Sequence, residues 1–169
     1  EARAGDSTCI YGEPHITETL HGLDFNIQMS SFFQTNPACA ERLYNEVIAG
    51  VQQQENPPGK DDVVMDLFCG TGTIAQLLVR HTGSQIVGVD IVKAAIEDAE
   101  KSAERNGMEG IRFHAADVGK FLLEFPEYKG KIHTIVLDPP RAGITPKTLR
   151  KVMRLEAHRI VYVSCNPAT

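Results

Sequence analysis

Five short apolar runs rich in β-branched residues, separated by stretches of helical character, constrain this 169-residue chain more than any other feature. The runs lie at 63–68, 85–90, 111–116, 132–138 and 159–163, and the segments between them read as helices over 73–81, 93–106, 118–123 and 145–155. Parallel strands need a crossover between them, which an intervening helix supplies, and strands covered on both faces read as near-continuous apolar runs. The predicted class is therefore α/β, a doubly wound, mostly parallel sheet with right-handed crossovers. The run from Ile160 to Val163 is read as a buried strand of this sheet. Open sheets of this kind place ligands outside the carboxyl ends of their strands, where the strand order reverses. The residues that end each run are the candidates for chemistry.

Upstream of residue 62 the pattern differs. Residues 1–14 carry charge, Gly and Pro without periodicity and read as an irregular lead-in. Residues 15–20 and 23–29 alternate around His21-Gly22, which predicts a hairpin. Residues 30–36 form a loop containing Phe32-Phe33-Gln34-Thr35-Asn36, and Asn36 before Pro37 is an N-cap followed by proline at the first helical position. Leu43, Tyr44, Val47, Ile48 and Val51 then make the apolar stripe of a helix. A loop over 52–61, too short for a domain linker, ends this part.

Composition limits the function classes. At 42% hydrophobic and 23% charged residues the chain reads as one ordinary globular domain, and no apolar run approaches the roughly 20 residues a membrane span needs. Glu1-Ala2-Arg3-Ala4 shows no signal-peptide pattern and reads as the interior of a longer protein. With 17 Lys and Arg against 22 Asp and Glu, the net charge of −5 disfavours an unaided grip on a nucleic-acid backbone. A pocket acting on one base while another domain holds the strand is compatible with it. Cys9, Cys39, Cys69 and Cys165 are widely spaced, so neither a metal site nor a disulfide framework is expected. An intracellular, reducing compartment follows, cytoplasm or nucleus before an organelle.

The strand ends carry a repeated theme. Asp66 precedes the turn Phe68-Cys69-Gly70-Thr71-Gly72-Thr73, whose glycines let backbone approach a ligand closely. A phosphate-binding turn would avoid that carboxylate, whereas a cationic ligand such as a sulfonium with an ammonium favours it; the plainer reading of Asp66 is a turn or cap residue. Asp90 ends the second run and is placed to accept ribose hydroxyls, or to cap the helix beginning at Lys93. Asp117 ends the third and either accepts from an adenine amino group or caps the next helix. Asp138-Pro139-Pro140-Arg141 ends the fourth in a rigid, polar-tipped turn. The fifth run delivers Cys165, followed by Asn166-Pro167.

Together, DLFCGTGT (66–73), Asp90, LDPPRAG (137–143) and VSCNPAT (163–169), with the preceding FFQTN (32–36), resemble the S-adenosylmethionine-dependent RNA uracil-5 methyltransferase family. The resemblance covers nearly everything from about Gly22 to Thr169 and implies a Rossmann-like class I methyltransferase domain over 37–169, incomplete at its C-terminus, with 1–36 as lead-in, hairpin and loop. It implies that Cys165 is the nucleophile and that Gln34, Phe68, Thr73, Asp90, Asp117 and Asp138 line the cofactor and base pocket. Asp66, Gly70 and Gly72 join them as cofactor-binding candidates. Asp138 and Arg141 are the substrate-side candidates, Arg141 either favouring the thiolate, steadying charge on the uracil O4, or lying idle at the surface.

The implied activity is methyl transfer to C5 of a uridine in RNA, transfer RNA before ribosomal, by a monomeric protein without metal or membrane. Family members carry a proton-abstracting glutamate well downstream of SCNP, so a chain ending at Thr169 is expected to lack turnover alone. The rival readings are a base amino-group methyltransferase with a DPP loop, and a cofactor-binding pseudoenzyme or interaction module. An amino-group enzyme of that type puts an aromatic after the prolines and needs no cysteine, whereas Arg141 and Cys165 stand here. A dehydrogenase is disfavoured by Asp66 and by Ala75, which leaves the glycine pattern incomplete.

Overall fold

The computed structural model describes residues 10–13, 15–28, 32–53 and 55–166. A hairpin of β1 (His15–Leu20) and β2 (Leu23–Gln28) comes first, with α1 (Pro37–Val51) after it. Then β3 (Val63–Leu67), α2 (Thr73–Thr82), β4 (Gln85–Asp90), α3 (Lys93–Arg105), β5 (Ile111–Ala115), α4 (Val118–Glu124), a 3-10 turn (Pro126–Tyr128), β6 (Ile132–Leu137), α5 (Pro146–Met153) and β7 (Arg159–Tyr162) alternate. The five later strands form one parallel sheet in the order β5-β4-β3-β6-β7. The order runs outward from β3 in both directions, so the switch point lies between β3 and β6. This is a Rossmann-like α/β fold with a separate antiparallel hairpin.

Local chemistry sets several element ends. The Asn36 side chain accepts from the Cys39 N–H at 3.1 Å, and Pro37 opens α1. Thr145 caps α5 by accepting from the Thr148 N–H at 3.2 Å. The run at 63–68 leaves the sheet at Leu67 because Phe68 turns to φ 69°. The helix expected over 145–155 stops at Met153, although Leu155 in the turn beyond it is still buried. Met29, Ser30 and Ser31 lie outside the described residues, as do Cys9 and Pro167.

Strand side chains alternate between two cores. Val64, Ile86 and Val136 pack with α1, α2 and the hairpin on one face. Met65, Leu67, Val87, Val89, Ile135 and Leu137 pack with α4 and α5 on the other. One expectation fails here. β7 is half exposed rather than buried, with Ile160 at 37% and Tyr162 at 42%. Among the described residues it pairs with β6 alone, and only alternate residues such as Val161, packed beside Gly50, face the core. Among the described residues no helix is long and apolar enough to cross a membrane.

The connections fix where the FFQTN loop sits. β2 runs along α3 from its C-cap, where Asn106 binds the Asp24 backbone, to its middle, where the Gln28 amide donates to Asp98. The first turn of α3 follows the carboxyl end of β4, so β2 heads toward the carboxyl edge of the sheet. The last residue of α1 lies at the opposite side, its Val51 carbonyl accepting from Arg159 at the start of β7 at 2.7 Å. The described loop 32–36 therefore joins elements at the carboxyl edge, and Phe33 anchors it against Phe25 with ring centroids 6.2 Å apart.

Candidate active site

The glycine turn after β3 is clamped to its neighbour. The Phe68 and Cys69 N–H groups both donate to the Val89 carbonyl, at 2.8 and 3.1 Å. Holding a bulky residue such as Phe68 at positive φ costs conformational energy, and such positions gather at functional sites. The two glycines that follow serve different ends. A Cβ on Gly70 (φ 53°) would meet nothing within 4 Å, so the turn is open above it. A Cβ on Gly72 (φ 74°) would lie 2.7 Å from the Phe113 ring and 2.9 Å from the Ala99 Cβ. Gly72 thus lets the turn seat against α3 and β5, and Thr73 begins α2 as a buried residue.

Each strand-end carboxylate has a definite setting. Asp66 is wholly buried, and neither of its oxygens has a hydrogen-bond partner. Burial foremost, and then the Asp138 charge, push its carboxyl from an ordinary 3.8 to about 8; the Ala75 amide, nearby but outside hydrogen-bond geometry, pulls the other way. Asp90 accepts from the Gly70 N–H at 3.0 Å and from the Val92 N–H at 2.8 Å, tying the glycine turn to the entry of α3. The N-cap of that helix is Val92, so Asp90 braces the turn rather than capping. Asp117 does cap α4, accepting from the Lys120 N–H at 2.8 Å, which uses one of its two oxygens. Asp138 is half-buried just past β6, and burial raises its carboxyl above the usual range.

Asp138 and Cys165 leave adjacent strands. Leu137 pairs with Tyr162, and the ladder continues as the Val163 N–H donates to the Leu137 carbonyl at 2.8 Å. Cys165 follows two residues later, exposed, in a turn where the Asn166 N–H meets the Ser164 hydroxyl at 3.1 Å. On its other flank β6 pairs with β3, bringing Asp138 beside Leu67 at the base of the glycine turn. Arg141 is exposed in a turn closed by the Gly143 N–H on the Pro140 carbonyl at 2.7 Å. Cys69 is a different kind of cysteine. It is buried, and burial followed by the Asp66 and Asp90 charges pushes its thiol well above the ordinary range, which keeps it un-ionised.

The carboxyl edge around the switch point thus gathers Asp66, Phe68, Gly70, Asp90, Asp138 and Cys165, with Asp117 farther out at the end of β5. Gln34 is half-buried on the loop delivered to the same edge. Two residues escaped the sequence reading. Phe113 seats the glycine turn, and a Cβ on Gly88 would also meet its ring, at 2.6 Å. Tyr44, read as one member of an apolar stripe, feels the charges of both Asp138 and Asp66.

A switch-point crevice with a strained glycine turn and carboxylates on successive strand ends is the architecture of Rossmann-like methyltransferases. The profile of the methyltransferase domain matches residues 58–169, and the chain belongs to that family. An uncharacterised RNA methyltransferase of Chlorobaculum tepidum is 46% identical over 162 residues, covering 94% of this chain and 32% of its own length. One from Clostridium acetobutylicum is 40% identical over 160 residues, covering 95% of this chain and 33% of its own. Among solved structures, the tRNA (uracil-54, C5)-methyltransferase of Pyrococcus abyssi, in complex with S-adenosyl-L-homocysteine, superposes with a TM-score of 0.77 at 32% identity. That match covers 93% of this chain and 36% of the Pyrococcus protein. The chain spans about a third of the length of the curated relatives it matches.

Proposed function

We propose that this chain is the S-adenosylmethionine-binding part of an RNA methyltransferase that acts on C5 of a uridine, in transfer RNA before ribosomal RNA. The observation that carries the reading is the exposed Cys165, leaving the strand beside the one that presents Asp138-Pro139-Pro140-Arg141. The likeness to a tRNA uracil-C5 methyltransferase over nearly the whole chain supports it.

The residues fit the cofactor. Asp66 is a buried carboxylate without a partner, and among the described residues no ion pair engages Asp66, Asp90, Asp117 or Asp138. An edge so rich in uncompensated carboxylates calls for cationic and hydroxyl-bearing groups. Asp90 would take the ribose hydroxyls with the lone pairs its two backbone bonds leave free, Gly70 gives room over the turn, and Asp117, Gln34, Phe68, Gly72 and Thr73 border the rest. When bound, S-adenosylmethionine supplies an electrophilic methyl group on sulfur.

Cys165 answers a difficulty in the substrate, since C5 of uracil is a poor nucleophile. Addition of the Cys165 thiolate to C6 breaks the C5–C6 double bond and places an electron pair on C5, which forms the new bond to the methyl carbon as that carbon's bond to the sulfonium sulfur breaks and the sulfur leaves as a neutral thioether. A base then takes the C5 proton, the Cys165–C6 bond breaks, and the double bond returns. A thiol suits both halves, being partly ionised near neutral pH, with a free pKa of about 8.5, and leaving readily. Arg141 would steady the charge that develops on O4. The target base leaves its stack to reach such a crevice.

Nucleoside analysis tests the reaction class. Full-length protein incubated with S-adenosylmethionine and unmodified transfer RNA should yield 5-methyluridine on digestion and mass spectrometry. A methyl group found on a base amino nitrogen would overturn the reading.

A further inference from the structure

Tyr44 matches an apolar stripe by its spacing, but its tip is a hydroxyl. The residue is only 6% exposed and packs in the core that contains Val64, Ala75 and Val136. Val64 and Val136 mark the sheet face that α1 covers. Because strand side chains alternate, Asp66 and Asp138, each two residues further along, continue on that face. Aromatic side chains on a helix lean back toward its N-terminus, and α1 begins toward the carboxyl edge, so the Tyr44 ring is directed up toward the two carboxylates. Burial first, then the charges of Asp138 and Asp66, raise its phenol above the ordinary range. No hydrogen bond of this hydroxyl occurs among the described residues, and its oxygen is not one of their fully buried atoms.

A buried phenol beside two carboxylates, bonded to neither, has a vacant acceptor and donor where a ligand's polar end would arrive. We propose that the Tyr44 hydroxyl is a further cofactor-binding group, receiving with Asp138 the primary ammonium at the amino-acid end of the methyl donor. An ammonium has three N–H donors, and oxygen acceptors on two sides orient it. Asp66 exposes no surface and lies beneath, where an arriving cation favours its ionised form. Tyr44 thereby selects ligands that carry an amino-acid end over those that carry only adenosine and a thioether. This inference rests on the cofactor reading above.

Calorimetry on the full-length protein separates the two claims. The probes are S-adenosylhomocysteine, which has the amino-acid end, and 5′-methylthioadenosine, which lacks it. Tyr44→Phe should weaken S-adenosylhomocysteine by about tenfold, the scale of one hydrogen bond to a charged group. Methylthioadenosine affinity should stay unchanged, which also reports that the variant is folded. Equal losses for both probes would mean a packing role, and no loss would mean no role; either overturns the inference. In a second arm, Tyr44→Phe combined with Asp138→Asn should lose less than the product of the two single effects, because both hold one group. Independent losses would overturn it. Wild-type protein that binds neither probe would instead remove the cofactor reading, and this inference with it.

Discussion

Phe113 lies across Gly72 and Gly88, and that contact sets the height of the glycine turn above the sheet. An added Cβ at Gly88 would sit 2.6 Å from the ring and 3.2 Å from the Cys69 Sγ, with no flexible tip to yield. Overpacking of this kind typically costs about 1–3 kcal/mol. Gly88→Ala should therefore lower stability by that amount in denaturant unfolding, and a midpoint equal to wild type would contradict the packing described. The two kinds of cysteine give a second prediction at this scale. Brief alkylation followed by peptide mapping should label the exposed Cys165 and leave the buried Cys69 unmodified. At the residue level the sequence was a partial guide. Carboxylates at strand ends are visible as letters, but which oxygen braces a turn and which is left without a partner depends on neighbours brought from other strands. Asp90 and Asp66 look alike in one dimension and differ completely in three.

At the level of elements, the alternation of apolar runs and helices was enough to recover the parallel sheet and to place the switch point. Its failures have physical causes. The run at 159–163 is as apolar as its neighbours, yet among the described residues β7 pairs with β6 alone, which leaves alternate side chains exposed. Tyr44 fell into a stripe with Val47, Ile48 and Val51 because helical periodicity reports which face is covered, not what the covered tip meets. The start of α1 was legible because capping chemistry is local: Asn36 and Pro37 sit where the helix begins. Asn36→Ala should cost about 1 kcal/mol, the ordinary loss of an N-cap. Because this cap also ends the loop bearing Gln34, it should weaken cofactor binding too, and unchanged affinity would detach the loop from the site.

For the whole molecule, the buried Asp66 couples folding, pH and ligand. Its folded-state pKa of about 8 lies above its ordinary 3.8, so between these values the folded chain keeps a proton that the unfolded chain releases. The unfolded state then binds fewer protons, and stability falls as pH rises. Asp138, also raised by burial, adds in the same direction. The ligand-free protein should lose thermal stability from about pH 4 to about pH 8, and Asp66→Asn should flatten that slope. A bound cation favours the ionised carboxylate, so the stabilisation by S-adenosylhomocysteine should grow from pH 6 to pH 8. A ligand effect constant across that range would place the cation away from Asp66.

The central claim is that the strand next to the Asp138 turn delivers a nucleophile. Its most direct test is trapping with RNA in which 5-fluorouridine replaces uridine, because fluorine at C5 cannot leave as a proton and the covalent product accumulates. Full-length protein, S-adenosylmethionine and this RNA should give a protein–RNA adduct on a denaturing gel that disappears in Cys165→Ala and persists in Cys69→Ala. Absence of any adduct, or an adduct that survives Cys165→Ala, would contradict the account.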